Sequence, residues 1–465
     1  MLFNSFQFLL FLLIVRILYG LLKRHRAQNT LLLLASYLFY GAWDWRFLFL
    51  ILASTLVDYQ AARKMADEAS PTRRHWLILS LCFNLGMLGF FKYWGFGIES
   101  FAALLSVAGF TPHLPTLSVI LPVGISFYTF QTIGYTVDVY RGKTPPCQNF
   151  FDFALYVAFF PQLVAGPIER STHLLPRLQR QRIITAEDWK IGFHWILLGY
   201  FKKVVIADTI APLVDEAFAQ PDQFSGIVSL FAIFGFALQI YGDFAGYSLI
   251  ARGVSRWFGI DLMRNFKAPF LARSPRDFWA RWHISLSEWL RDYLYIPLGG
   301  NRSSPWLNAR NLFLTLLLGG LWHGAAWNFV IWGAYNGGVL LLARTLCWTQ
   351  KASHSLSKDL PLILITLVFT MLGWLFFRTS GWDNIAAIVH NIGFNFHWDA
   401  QAQLYVITVG TMSTLLLAYH IWQERSGEFA LLEAPLLIRV TVITFLLSTI
   451  IAVGFRPTPF IYFQF

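Results

Sequence analysis

Apolar runs long enough to cross a lipid bilayer as helix, about 17 to 25 residues each, recur along the whole sequence. They lie near residues 2–21, 30–58, 75–93, 117–139, 151–166, 190–210, 225–250, 311–346, 361–377, 403–422 and 434–454. In hydrocarbon a chain must satisfy its own backbone, so only helices or a closed barrel can span it. The runs lack period-two alternation, which selects helices. The 30–58 stretch contains the turn-like "GAWDW" and reads as a hairpin of two short helices. The 311–346 stretch is longer than one span and is broken by "HGAAWN". The expectation is an all-α polytopic membrane protein with about eleven to thirteen membrane segments, forming one membrane domain over residues 1–465.

A length of 465 residues would otherwise suggest two or three soluble domains, but only 13% of them are charged, where soluble domains carry about 25%. The net charge of +11 fits Lys- and Arg-rich cytoplasmic loops better than nucleic acid. Cys82, Cys147 and Cys347 are widely spaced and make neither a metal motif nor a disulfide framework. At the N-terminus Lys23, Arg24 and Arg26 follow the apolar region. A signal peptide carries its positive charge before that region, so an uncleaved first helix is expected.

Charge also sets an orientation. The stretches 22–28, 59–75, 140–148 and 340–360 carry Lys or Arg, whereas none occurs between Arg378 and Arg425. The 379–402 loop is therefore expected outside, and the tail after the last helix near the outer face. No internal repeat is visible, which weighs against repeat-built transporters.

Residues 251–310 hold ten Lys or Arg against four Asp or Glu, interleaved with tryptophan. Arg276, Trp279, Trp282, Trp289 and Arg291 set the pattern. Such amphipathic helices lie in a membrane interface, with arginines snorkelling to headgroups. The same charge, with Arg281, also suits a cytoplasmic funnel for an anionic donor.

Two histidines are candidates for chemistry. His323, in "GGLWHGAAWN", sits in an apolar segment among Gly319, Gly320 and Gly324. An ionisable group at that depth is costly and marks a functional site by default. Desolvation favours the neutral imidazole, the form a general base requires. The bland alternative is a histidine hydrogen-bonded between helices. His283, in "RWHISLSEW", lies on the basic stretch. The spacing is not that of a zincin, no carboxylate or Cys cluster completes a metal site, and there is no G-x-S-x-G elbow. Asp138, Asp243, Gln162 and Glu169 also stand in apolar context; the two aspartates are expected to pair with arginine, and Pro161, Gly166 and Pro167 to break a helix.

Five blocks carry a resemblance: "FYTFQTIGYTVDVYRG", "FFPQLVAGPIER", "YGDFAGYSLIARG", "FWARWHISLSEWLRDYLYIPLGGNR" and "GGLWHGAAWNFVIWGAYNG". Together they resemble the membrane-bound O-acyltransferase family, in its bacterial branch acting on alginate, peptidoglycan, cellulose or teichoic acids, with "YIPLGGNR" and the length most similar to the alginate type. The resemblance implies a ring of tilted helices around a thin centre crossed by a tunnel, with His323 as the essential residue and His283 as the second histidine of the site. It also implies no bound cofactor, an acyl thioester donor such as acetyl-CoA, and a multi-pass protein of the bacterial inner membrane. A periplasmic SGNH-type acetyltransferase partner would then esterify a surface polysaccharide. The rival class is an exporter of polysaccharide or lipid-linked sugar, which needs no base in a glycine-lined constriction.

The last residues read "FIYFQF". The aromatics Phe460, Phe463 and Phe465 are expected to bury and offset the ordering cost of a free end. Tyr462 is then expected to point toward His323 and carry the acyl group. The alternative is an interfacial anchor for the last helix.

Overall fold

The structure, a computed structural model, describes residues 1–110, 119–164, 166–302, 304–348, 356–379, 381–454 and 458–463. All regular elements among these residues are helical. α1 (Phe6–Leu21) starts on Ser5, whose hydroxyl accepts the Phe8 amide, and stops before Lys23. α2 (His25–Asp44) and α3 (Leu48–Lys64) form the expected hairpin, turned where the Asp44 carboxylate accepts the Arg46 amide. α4 (Arg73–Leu88) passes through a π turn at Gly89–Tyr93 into α5 (Trp94–Val107), well beyond the expected end at 93. The first residues of the expected 117–139 segment lie outside the described residues, and its helix is α6 (Ile125–Tyr140).

α7 (Phe150–Ala158) is broken at Phe159 and followed by α8 (Phe160–Leu163), with Pro161 in the first turn, where its missing N–H costs nothing. α9 (Ser171–Gln179) is short and was not foreseen from hydropathy. α10 (Ala186–Tyr200) opens on a Thr185–Asp188 capping box and runs through a π turn, Phe201–Ala207, into α11 (Asp208–Ala219). α12 (Gly226–Arg256) is the longest helix among the described residues. The basic, aromatic stretch folds into α13 (Pro275–Trp279), α14 (Ile284–Leu290) and a third π turn at Arg291–Tyr295. α15 (Pro305–His323) and α16 (Trp327–Thr345) are the two halves of the 311–346 run, parted at Gly324–Ala326 as expected. Then follow α17 (Leu356–Arg378), α18 (Trp382–Phe394), α19 (Ala400–Ser426), α20 (Ala430–Glu433) and α21 (Leu436–Val453).

Among the described residues five helical stretches are long and apolar enough to cross a bilayer unaided: Arg73–Val107, Gly226–Arg256, Ser357–Arg378, Ala400–Ser426 and Leu436–Val453. Their surroundings differ. Protein buries 78% of the apolar window of α12 but only 11% of that of α21. α12 is therefore an internal post, and α21 offers most of its surface to lipid. Small residues let the post be approached closely. A Cβ on Gly246 would meet the Gly199 carbonyl oxygen at 2.8 Å, and one on Gly242 the Lys202 carbonyl at 2.7 Å. α10, its π turn and α12 thus pack backbone against backbone.

Buried polar groups tie other helices together. Asp58 of α3 accepts from Ser80 Oγ at 2.6 Å and from Asn84 Nδ2 at 2.9 Å, both on α4. Asp138 accepts from the Tyr293 hydroxyl at 2.6 Å, and Asp243 pairs with Lys203 at 2.7 Å. The arginine partners expected for these two aspartates are therefore replaced by a phenol and a lysine, because the nearest donor across a helix contact depends on tertiary packing. Trp282 and Trp289 are also core residues, not lipid anchors. Trp289 stacks on Phe130 at 3.7 Å between centroids and donates to its carbonyl at 2.7 Å.

Candidate active site

His323 is the last residue of α15, and its position is set from both sides of the helix end. A Cβ on Gly320 would lie 2.3 Å from the Phe329 carbonyl oxygen, and one on Gly324 would lie 2.1 Å from the Phe329 ring. Only glycine lets α15 and α16 meet this tightly after so sharp a break. The carbonyls at a helix C-terminus lack intrahelical partners. Here the π turn at 89–93 supplies them. Lys92 Nζ donates to Trp322 O at 2.6 Å and His323 O at 3.1 Å, and the Tyr93 hydroxyl donates to Leu321 O at 2.8 Å. A cation also complements the negative end of the helix dipole.

His283 is held differently. It caps α14 with φ 43° and ψ 54°, a left-handed conformation rare for a residue with a side chain. The neighbouring backbone enforces it. Ile284 N–H donates to Asn265 O at 2.9 Å and Lys267 N–H to Arg281 O at 2.9 Å. The Asn265 side chain joins Ser285 to Ser248 of α12. Strain of this kind persists where the surroundings over-determine it.

The two histidines, forty positions apart in sequence, stand with ring centroids 6.3 Å apart. Both are buried. Among the described residues neither ring nitrogen of His283 nor Nδ1 of His323 has a hydrogen-bond partner. Buried polar atoms are nearly always paired, so these imidazoles are not structural crosslinks between helices. His323, which lines cavities, is available to something that enters. Phe244 of α12 lies against His283 at 4.6 Å and Trp322 against His323 at 5.1 Å.

The C-terminal segment completes the site. Tyr462 is partly buried, with its ring 5.6 Å from that of His323 and 4.9 Å from that of Phe244. Phe460 is fully buried against Tyr247 and Phe244. Phe463 packs on Phe460 at 5.6 Å, whereas Phe465 lies outside the described residues.

Two cavities converge here. One, about 50 Å³, is lined by Lys92, Ser126, Phe127, Trp322, His323 and Tyr462 among others. The second, about 230 Å³ and mostly apolar, runs along α14–α16 past Trp279, Ser287, Arg291, Tyr295 and Trp332 to His323. Among the described residues His323 is the one that lines both.

The expected donor-side arginines diverge. Arg291 is exposed at the rim of the larger cavity, next to Asp292, and Arg276 is exposed as well. Arg281 is not free to meet a donor. It is buried between Asp277 at 2.7 Å and Glu424 at 2.9 Å, so it crosslinks the α13–α14 region to α19. Lys92 and Lys203 were missed in the sequence. The signal was present, since a lysine inside an apolar run marks a functional group as an intramembrane histidine does.

The sequence profile of the membrane-bound O-acyltransferase family matches residues 47–378. The chain belongs to this family. It is thus an integral-membrane, multi-pass O-acyltransferase whose reaction uses an acyl donor, and the exporter reading falls. A probable alginate O-acetylase of Azotobacter vinelandii is 41% identical, over 90% of this chain and 82% of that protein. One of Pseudomonas putida is 38% identical over 99% of both chains. A peptidoglycan O-acetyltransferase of Helicobacter pylori is 35% identical, over 85% of this chain and 80% of its own length. The matched span contains both histidines and Lys92 but ends before Tyr462.

Proposed function

We propose that this enzyme moves an acetyl group from a cytoplasmic thioester, acetyl-CoA, through the bacterial inner membrane for O-acetylation of a surface polysaccharide, most simply alginate. The observation that carries this reading is that His323 lines both cavities, with the Tyr462 ring beside it on the smaller one. CoA bears several phosphate charges and cannot enter hydrocarbon, whereas an acetyl group is small. The larger, apolar cavity with Arg291 at its rim suits the thioester arm of the donor.

In this reading His323 is the general base. It takes the Tyr462 phenolic proton as the oxygen attacks the thioester carbonyl, and returns it to the departing thiolate. The products are free thiol and a phenyl ester on Tyr462. Thiols ionise near pKa 8.5 and phenols near 10, and sugar alcohols are weaker acids than either. The acyl group therefore steps from thioester to phenyl ester to sugar ester without climbing far. In the same reading His283, with both nitrogens unpaired among the described residues, orients the donor or relays the proton. A periplasmic SGNH-type acetyltransferase would accept the acetyl group from Tyr462 and esterify the polymer.

Alginate is favoured over peptidoglycan because the alginate-named relatives match at 38–41% identity and the peptidoglycan-named one at 35%. The test is incubation of the purified protein with radiolabelled acetyl-CoA. The expected result is label bound to the protein, released by mild alkali, and absent from Tyr462→Phe. Label that never binds the wild-type protein would overturn the reading.

A further inference from the structure

The terminal segment is held by polar contacts that its aromatic sequence does not announce. The Thr458 hydroxyl donates to Asp208 Oδ1 at 2.6 Å, and its carbonyl accepts from Asn4 Nδ2 at 3.3 Å. The Ile461 amide donates to Asp243 Oδ2 at 2.6 Å. Lys203 Nζ stands between the two carboxylates, 2.9 Å from Asp208 Oδ1 and 2.7 Å from Asp243 Oδ1. All three charged side chains are buried. Two carboxylates thus share one ammonium, and each takes a further donor from the tail. A buried carboxylate short of donors is costly, and Asp208 Oδ2 already lacks a partner among the described residues, so each carboxylate depends on the donor that residues 458–461 bring.

The cluster also sets the register. Lys203 lies in the π turn that Gly242 and Gly246 allow against α12. Asp243 immediately precedes Phe244, whose ring touches both His283 and Tyr462. Tying the Ile461 amide to Asp243 therefore places the next residue, Tyr462, on Phe244 and beside His323. Aromatic side chains alone would set a depth in the membrane. Backbone and hydroxyl donors matched to buried carboxylates specify one address.

We propose that Lys203, Asp208 and Asp243 form a receptor for the C-terminal peptide segment Thr458–Tyr462 and act as positioning residues that hold Tyr462 against His323. The receptor stands on the contacts themselves; its purpose rests on the reading of Tyr462 as acyl carrier.

The test uses the full-length protein with Thr458→Val, which keeps the side-chain shape and removes the hydroxyl, and Thr458→Ser, which restores it. Two readouts are taken: intact mass after carboxypeptidase digestion, and acetyl transfer against donor concentration. Wild type is expected to retain Tyr462 under digestion. Thr458→Val is expected to lose it, and its kcat to fall about 10²-fold, the cost of a small misplacement of a reacting group, with donor KM unchanged. Thr458→Ser is expected to recover both. A Thr458→Val protein as resistant and as fast as wild type would overturn the receptor, and so would failure of Thr458→Ser to recover. Loss of protection with transfer intact would support the receptor and overturn its purpose in acyl transfer. That result is distinct from failure of the carrier reading alone, which an active Tyr462→Phe with its tail still protected would report.

Discussion

The rings of His323 and Tyr462 lie 5.6 Å apart, although one ends α15 and the other stands near the end of the chain. Nothing local in sequence brings them together. α15 is stopped at His323 by the glycine-permitted hairpin with α16, and the tail is led back by Asp208 and Asp243. Replacing His323 with Ala removes the proposed base and leaves the helix end capped by Lys92 and Tyr93 through backbone carbonyls. Acyl transfer is expected to fall about 10²- to 10⁴-fold, with membrane insertion and thermal stability close to wild type. Polymer acetylation near the wild-type level in cells carrying His323→Ala would remove His323 from the mechanism.

Tyr462→Phe separates the proposed nucleophile from the anchor. The phenyl ring keeps its packing on Phe244 and Phe460, at 4.9 and 5.3 Å, and only the hydroxyl is lost. The tail is expected to stay docked, while alkali-labile acetyl label on the protein disappears and transfer drops to background. Normal acetylation by this variant would leave the tail as a structural plug beside His323.

The helical plan was legible because bilayer-length apolar runs leave few alternatives. Even the break at "HGAAWN" and the hairpin at "GAWDW" were visible as turn chemistry inside such runs. The resemblance carried both histidines. What could not be read is what tertiary packing decides. The π turns at 89–93, 201–207 and 291–295 look like plain helix in sequence, yet they aim Lys92, Lys203 and Arg291. π turns recur at functional sites because the extra residue re-aims side chains. Asp243 was expected to pair with arginine, and Arg281 to meet the donor. Each is instead committed to a partner from a distant part of the chain, Lys203 in one case and Glu424 in the other.

Lys92→Met keeps the length of the side chain and removes its three donated bonds, to Trp322 O, His323 O and Ser126 Oγ. Carbonyls left without donors in a buried site cost about 1–3 kcal/mol. The end of α15 is expected to loosen, with the melting temperature of the detergent-purified protein lowered and kcat reduced more than donor KM is raised. A Lys92→Met variant with wild-type melting and kcat would mean that the helix end is fixed by the glycine packing alone.

Arg291 and Arg281 offer a paired contrast, since both were candidates for attracting the donor and the structure separates them. Arg291 is exposed at the rim of the larger cavity, so Arg291→Ala is expected to raise donor KM, to leave kcat unchanged and to weaken the salt dependence of donor binding. Arg281 is buried between Asp277 and Glu424. Arg281→Ala takes one partner from each of two carboxylates that Arg273 still contacts, a loss of up to about 3 kcal/mol because both also keep some access to solvent. Its expected signature is a lower melting temperature with donor KM unchanged in the protein that remains folded. Titration of transfer rate against acetyl-CoA at two ionic strengths, beside thermal melts of both variants, separates the roles. If Arg281→Ala raised KM as Arg291→Ala does, the ion pairs with Asp277 and Glu424 would have to open when the donor arrives, and the mouth would extend to α19.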